Sequence, residues 1–317
     1  MTKPHDELFK ATLTPQAARQ LCKAVLPAEA GVLFDQATLV REPETFVEGA
    51  LASDVLYRAE FTGGAEALVY VLFEHQSTVD PLMAYRVLRY MVRIWGRWLR
   101  SRRDQAPRSL PPILPIVVYH GESEWSAPLD FRALVRLPQG LAADGFVPSF
   151  RYVLDDLSRI REQEIRARHA PPEAALAWIF LGQAYAPARG VEVLHRSLDL
   201  LAELIAQLPS TRELVERFLA YSLVVGFGEV SDLSEALGRL GGEGLEEFLM
   251  TAGERLLERG RDEGARRLFL KLLATLGPLS EAIRDRIDHA SLEELESWTE
   301  RLASGERPPE VFGTTPR

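Results

Sequence analysis

The sequence predicts an α/β protein: a first half in which strands and helices alternate, followed by an all-helical second half. Three observations predict it. Ala67-Leu-Val-Tyr-Val-Leu-Phe73 is an apolar run with the length and β-branched content of a buried strand, and it ends abruptly in Glu74-His75-Gln76. The stretch from Asp80 to about Arg100 repeats apolar residues at three and four, and it separates that strand from a second apolar run, Ile113–Tyr119. After Leu157 helical periodicity replaces alternation and dominates as far as about residue 303.

The elements follow in order. His5–Leu26 reads as helical, with Phe9, Leu13, Ala17, Leu21 and Val25 spaced for one buried stripe. Thr14-Pro15 inside it has the form of an N-cap followed by a first-turn proline, which splits the region into two short helices. Residues 31–40 fit either a strand or an irregular connection. Val55–Phe61 alternates like a strand, and Thr62-Gly-Gly-Ala-Glu66 is a reversal that pairs it with the 67–76 strand as a hairpin. In the helix that starts at Asp80-Pro81, Tyr85, Leu88, Val92, Trp95 and Leu99 are expected to face the sheet. Pro111-Pro112 ends that helix. Ile113–Tyr119 is a strand in which Pro115 implies an edge position or a later start. Phe150–Leu154 is a further short strand, followed by Asp155-Asp156. The helical segments expected beyond it span 158–168, 172–186, 190–207, 210–225 and 231–239. Gly253, Gly260 and Gly264 punctuate a charged helix after the Gly241-Gly242 joint, and residues after about 245 are expected to mediate self-association or to dock on the helical region.

In a strand alternate side chains share a face, so Glu74 and Gln76 point one way and His75 the other. The hairpin brings the start of the 55–61 strand beside the end of the 67–76 strand, and so brings Asp54 towards Glu74 and Gln76. Two carboxylates and an amide so placed suit a hard divalent cation, Mg²⁺ or Mn²⁺, which polarises a phosphoryl oxygen. The same residues equally describe the polar end of a strand leaving the core. Arg86, Arg89, Arg93, Arg97 and Arg100 recur on a second face of the long helix, and Asp104 is the only acid from Arg86 to Arg108. Such a face suits a polyanion such as DNA, or else a solvated surface paired with the chain's many acids. His5, His75 and His120 meet near the strand ends or are ordinary polar residues. Tyr119-His120-Gly121 positions a substrate or forms a turn.

The balance of the chain narrows the alternatives. At 317 residues it can bury a substantial core without staples, and its formal net charge of −9 argues against a protein that coats nucleic acid while leaving local patches open. The single cysteine, Cys22, excludes an internal disulfide framework and fits a buried apolar role in a reducing compartment. The apolar stretch Ala174–Ala186 is too short for a bilayer, and no signal segment opens the chain, so a cytoplasmic protein without membrane contact is expected. There is no phosphate-binding glycine loop, dinucleotide fingerprint, histidine–glutamate zinc helix or nucleophile elbow, which removes most of the case for nucleotide hydrolysis or hydride transfer.

Several ordered motifs carry a family likeness: Pro4-His-Asp-Glu-Leu-Phe-Lys10, Asp54-Val-Leu-Tyr57, Phe73-Glu-His-Gln-Ser-Thr78, Met83-Ala-Tyr-Arg-Val-Leu-Arg-Tyr-Met91 and Leu114-Pro-Ile-Val-Val-Tyr-His-Gly121. With them the chain resembles the YhgA-like transposase family, also called the Rpn recombination-promoting nucleases. The resemblance is good over residues 4–160 and thinner beyond. It implies a PD-(D/E)XK, restriction-endonuclease-like core with a mixed central sheet flanked by helices, and Mg²⁺-dependent DNA cleavage of low sequence specificity. It places metal ligands at Asp54 and Glu74, with Gln76 standing where lysine is common in the superfamily. His5, Asp6, Lys10, Tyr119 and His120 are accessory candidates. The implied division is a nuclease-like domain over 1–157, a helical region over 158–242, a helical extension over 243–303 and a frayed tail over 304–317. The competing expectation is an inactive DNA-binding or oligomeric regulatory module on the same fold.

Overall fold

The computed structural model describes residues 4–27, 34–43, 55–74 except 63 and 65, 79–139 except 106, 145–185, 190–225 except 208 and 209, 227, and scattered positions between 235 and 301. The chain forms two compact units that meet in sequence at Gly241 and Gly242.

The larger unit opens with two helices, α1 (Pro4–Thr12) and α2 (Pro15–Val25). The break between them is built as its sequence dictates, because the Thr14 hydroxyl accepts a hydrogen bond from the Ala17 N–H at 3.2 Å and proline occupies the first turn. Phe9, Leu13, Ala17 and Leu21 are all buried, and Val25 is half-buried at the end of the stripe. Cys22 is buried beside them, and burial pushes its thiol up to about 12, which keeps it protonated and inert.

Five strands follow: β1 (Phe34–Arg41), β2 (Val55–Phe61), β3 (Glu66–Glu74), β4 (Ile113–Tyr119) and β5 (Val153–Asp156). They lie side by side in chain order. β1, β2 and β3 pair antiparallel, while β3, β4 and β5 pair parallel, so the sheet is mixed. Residues 34–41 are therefore a strand rather than an irregular connection. The parallel step from β3 to β4 needs a crossover, and the helix α3 (Met83–Ser101) supplies it. Pro115 sits inside β4, but β5 begins to pair only at Ile116, so the proline lies where β4 has no partner on that side.

One face of the sheet packs on α3. Leu56, Leu68, Tyr70 and Val117 meet Met83, Val87, Met91, Ile94 and Trp98 in a single apolar cluster. This corrects the expected helix face at three of its five positions, since Leu88 and Trp95 do pack, partly buried, against the cluster. Tyr85, Val92 and Leu99 are 49, 57 and 40 % exposed, and the buried stripe runs through Met83, Ala84, Val87, Tyr90, Met91, Ile94 and Trp98. Both sets obey the three-and-four spacing, so periodicity alone does not choose between them. Polar handles help to choose. The Trp98 indole N–H donates to Glu66 Oε2 of β3 at 2.9 Å, while Trp95, half-buried at the edge of the same cluster, donates to the Pro111 carbonyl at 2.8 Å just before β4.

The opposite face packs on the N-terminal pair of helices. Tyr57, fully buried, donates its hydroxyl to the Leu13 carbonyl at the α1–α2 junction, and burial holds the phenol well above its usual range. Replacing Tyr57 with Phe is expected to cost about 1–2 kcal/mol, because it leaves a buried carbonyl unsatisfied without removing the ring. A urea midpoint unchanged from wild type would show that the bond is replaced by water.

The rest of the unit is helical: α4 (Glu162–Arg166), α5 (Pro172–Gly182), α6 (Gly190–Arg196), α7 (Leu198–Ile205) and α8 (Arg212–Val225). Every residue from Ala174 to Leu181 is buried, so α5 is apolar all round and forms the centre of the helical layer, with α1, α7 and α8 packed on it. Among the described residues no helix is long and apolar enough to cross a membrane. In the C-terminal unit the described residues Arg286, Ile287, Glu294, Leu295, Ser297, Trp298 and Arg301 are helical. Arg286 lies over the Trp298 ring at 5.6 Å. Gly253, Gly260 and Gly264 lie outside the described residues.

Candidate functional site

The candidate site starts from the register of three parallel strand ends. Glu74, the last residue of β3, pairs with Tyr119, the last of β4, and Tyr119 pairs with Asp156, the last of β5. In the hairpin Val55, the residue after Asp54, pairs with Val71, three residues before Glu74. The start of β2 and the end of β3 are therefore neighbours, as the sequence predicts. Leu56 and Tyr70 share a register row and pack in the α3 cluster. Asp54, His75 and Gln76 lie outside the described residues. Among the described residues no group of three or more metal-ligating side chains converges.

Tyr119 stands at the centre of the row that runs from Glu74 to Asp156. It is buried, with its ring against Trp125 at 4.9 Å and its hydroxyl donating to the Ser123 carbonyl at 2.8 Å. Its hydrogen-bonding capacity as a donor is spent on that turn. Gly121 permits the turn, because a Cβ there would overlap the Tyr119 hydroxyl. Gly121→Ala is expected to destabilise the protein by about 1–3 kcal/mol, since the buried ring must shift to make room. Urea denaturation measures it, and a change under a few tenths would show that the ring moves freely.

Asp156 is a residue that sequence reasoning passed over. Its Oδ1 accepts from the Ser158 hydroxyl at 2.6 Å and from the Ser158 N–H at 3.1 Å. Burial raises its carboxyl above the ordinary range, and the Ser158 bonds offset this only in part. A carboxyl raised on folding stabilises the fold below its unfolded pKa, and that contribution is lost as pH rises through the folded value. The only sequence signal was an acidic pair after a short strand. The parallel register is what places it in the row of Glu74.

The accessory candidates separate across the sheet. His5, on α1, lies 4.7 Å from the His120 ring, and its Nδ1 is 2.8 Å from the Tyr221 hydroxyl. Tyr185 closes the cluster 5.7 Å from His120. Burial raises the phenols of both Tyr185 and Tyr221. Asp6 is buried on the same helix, while Lys10 accepts from Arg41 through its backbone carbonyl at 3.1 Å. His5 and His120 thus meet as the spacing allowed, whereas Tyr119 turns towards Trp125 instead.

The arginines of α3 do not share one solvent face, because one Nη of Arg86 is buried. Arg89, Arg93 and Arg100 are exposed, and Arg86 and Arg97 are half-buried. Arg93 extends over the Tyr90 ring at 6.0 Å. Arg89 and Arg100 form no ion pair among the described residues. Arg102, just beyond, is already committed to Glu66 at 2.7 Å and to the Trp98 ring at 4.9 Å.

Comparison with known proteins joins these features. The chain is 28% identical over 293 residues to "Recombination-promoting nuclease RpnA" of Escherichia coli (strain K12), a match covering 89% of this chain and 92% of that protein. It is 37% identical over 126 residues to "Recombination-promoting nuclease RpnC" of the same strain, covering 38% of this chain and 40% of that protein. It is also 34% identical over 126 residues to "Inactive recombination-promoting nuclease-like protein RpnE", again covering 38% of this chain and 40% of that protein. The last two matches thus span well under half of those relatives. No solved structure matches the chain. Residues 3–213 match the family described as "Putative transposase, YhgA-like", and the chain belongs to that family.

Proposed function

We propose that this protein is a Mg²⁺-dependent DNA endonuclease of low sequence specificity, built on a PD-(D/E)XK-type core and acting in the cytoplasm. The observation that carries the reading is the strand register. The start of β2, which Asp54 precedes, and the end of β3 at Glu74 are neighbours in a sheet that packs on α3, whose exposed residues include Arg89, Arg93 and Arg100. Asp54 and Glu74 are the ligands in this reading, and their hard carboxylate oxygens fit Mg²⁺ or Mn²⁺. When bound, the ion supplies Lewis-acid polarisation of a phosphoryl oxygen. Gln76 orients the attacking water through its amide, and the α3 arginines hold the flanking phosphates. The names of RpnA and RpnC support nuclease activity in the family.

Plasmid incubated with the purified chain in Mg²⁺, Mn²⁺ or EDTA tests the reading. Cleavage with either ion and none in EDTA is expected. Cleavage untouched by chelator would sink the metal mechanism. A second reading, an inactive DNA-binding or regulatory module on the same fold, is favoured by the name of RpnE. DNA binding without cleavage under any ion would select it.

The arginine face has its own expected result. Each phosphate contact contributes about 0.9 to the slope of log affinity against log salt on duplex DNA. Replacing Arg89 and Arg93 with glutamine should flatten that slope by about 1.8. An unchanged slope would mean that the face is only solvated.

A further inference from the structure

On the face of the sheet opposite α3, the helices α2 and α4 and the turn after β5 enclose an open cavity of about 710 Å³. Its lining includes Gln20, Lys23, Arg159, Glu164, Arg168 and His169. The charge of this lining is decided by which groups are already spent. Glu164, the acid among them, is turned aside: its Oε2 accepts from the Arg161 N–H at 2.9 Å and from Arg161 Nε at 3.1 Å. Arg168 is spent as well, gripping Asp155 with both Nη atoms at 2.8 and 2.6 Å and lying 5.2 Å over the Trp178 ring. Lys23 and Arg159 remain. Neither side chain forms an ion pair or hydrogen bond among the described residues, and both are exposed at the cavity.

Two cations outside any ion pair among the described residues face this one cavity in a chain of net charge −9, and the Arg159 charge also acts on the nearby Asp156 carboxyl. The rim is also rigid. Arg168 is locked from two sides, and the next residue, His169, is held at φ 51°, a left-handed conformation uncommon for a residue with a side chain. His169 is among the residues that line the cavity. Ile160 adds an apolar wall. The volume lies in the range of small-ligand sites, roughly 300–1,000 Å³.

We infer that this cavity binds a phosphate monoester of nucleotide size, with Lys23 and Arg159 on the phosphate and His169 and Ile160 against the remainder. The monoester is carried either by a free mononucleotide or by the terminal nucleotide of a phosphorylated strand. The site does not require the nuclease reading, although the Arg159 charge also reaches Asp156 at the end of the row of Glu74. Arg168 grips Asp155, which lies in the register row of Val118, one position before the row of Glu74, Tyr119 and Asp156 and so on the other face of the sheet.

Calorimetric titration of the full chain in EDTA, where no cleavage interferes, tests the inference. The probes are deoxyadenosine monophosphate, deoxyadenosine, and a short single strand with or without a 5′-phosphate. Deoxyadenosine monophosphate should bind and deoxyadenosine should not. The double variant Lys23→Gln/Arg159→Gln should weaken binding at least tenfold, while Glu74→Ala should leave it unchanged. Both exposed residues can change without disturbing the core, which a thermal melt would verify. If the mononucleotide fails but the 5′-phosphate strengthens strand binding, and the double variant removes that gain, the strand end is the source and the site stands. Absence of binding by every probe, or equal binding by wild type and the double variant, would overturn the inference.

Discussion

Glu74→Ala and Asp54→Ala should each abolish DNA cleavage while leaving DNA binding largely intact. A divalent ion contributes several kcal/mol of transition-state stabilisation, and each 1.4 kcal/mol is a factor of ten, so losing a ligand should cost about 10³-fold in rate. Binding should survive because the arginines of α3 belong to a different element from either carboxylate. Gln76→Ala should slow cleavage without eliminating metal binding, and Gln76→Lys should retain activity, since lysine also serves the water and the phosphate. Gel shift beside plasmid cleavage separates the two effects. Full activity in Glu74→Ala would remove the row at the end of β3 from the mechanism.

The largest expected effect on stability lies elsewhere, at Asp155 and Arg168. Their side chains are 3 and 7 % exposed and joined through two short hydrogen bonds. Removing one partner of such a buried pair strands the other charge away from water, at a cost of about 3–5 kcal/mol. Asp155→Ala should therefore lower the urea midpoint sharply. Arg168→Met in the same chain should recover part of the loss, because no uncompensated charge then remains. A loss below about 1 kcal/mol for Asp155→Ala would mean that water reaches the guanidinium.

What the sequence made legible depended on whether the deciding forces were local. The α1–α2 break is a local matter of Thr14 and Pro15, and the β2–β3 hairpin follows from an alternating strand and an apolar run on either side of Thr62-Gly-Gly. Both could be read directly. The buried face of α3 could not, because Tyr85, Val92 and Leu99 match the helical repeat as well as Val87, Ile94 and Trp98 do. The sheet broke that tie through Leu68, Tyr70 and Val117. Long-range order was equally hidden. Nothing near Asp156 announces that β5 lies parallel to β4 and ends in the row of Glu74. The Arg168–Asp155 pair and the cavity beside it required the same pairing. For the candidate metal residues the pairing of the strands beside them is what the structure adds, while Asp54 and Gln76 themselves lie outside the described residues.

The central claim, that Asp54 and Glu74 share one divalent ion, is tested most directly by binding of the ion itself. Titration of the DNA-free chain with Mn²⁺, followed by paramagnetic resonance of the free ion, should show uptake by the wild-type chain that is lost or strongly weakened in both Asp54→Ala and Glu74→Ala. In Gln76→Ala the uptake should persist. Uptake of the same strength in the wild type and both carboxylate variants would contradict the account.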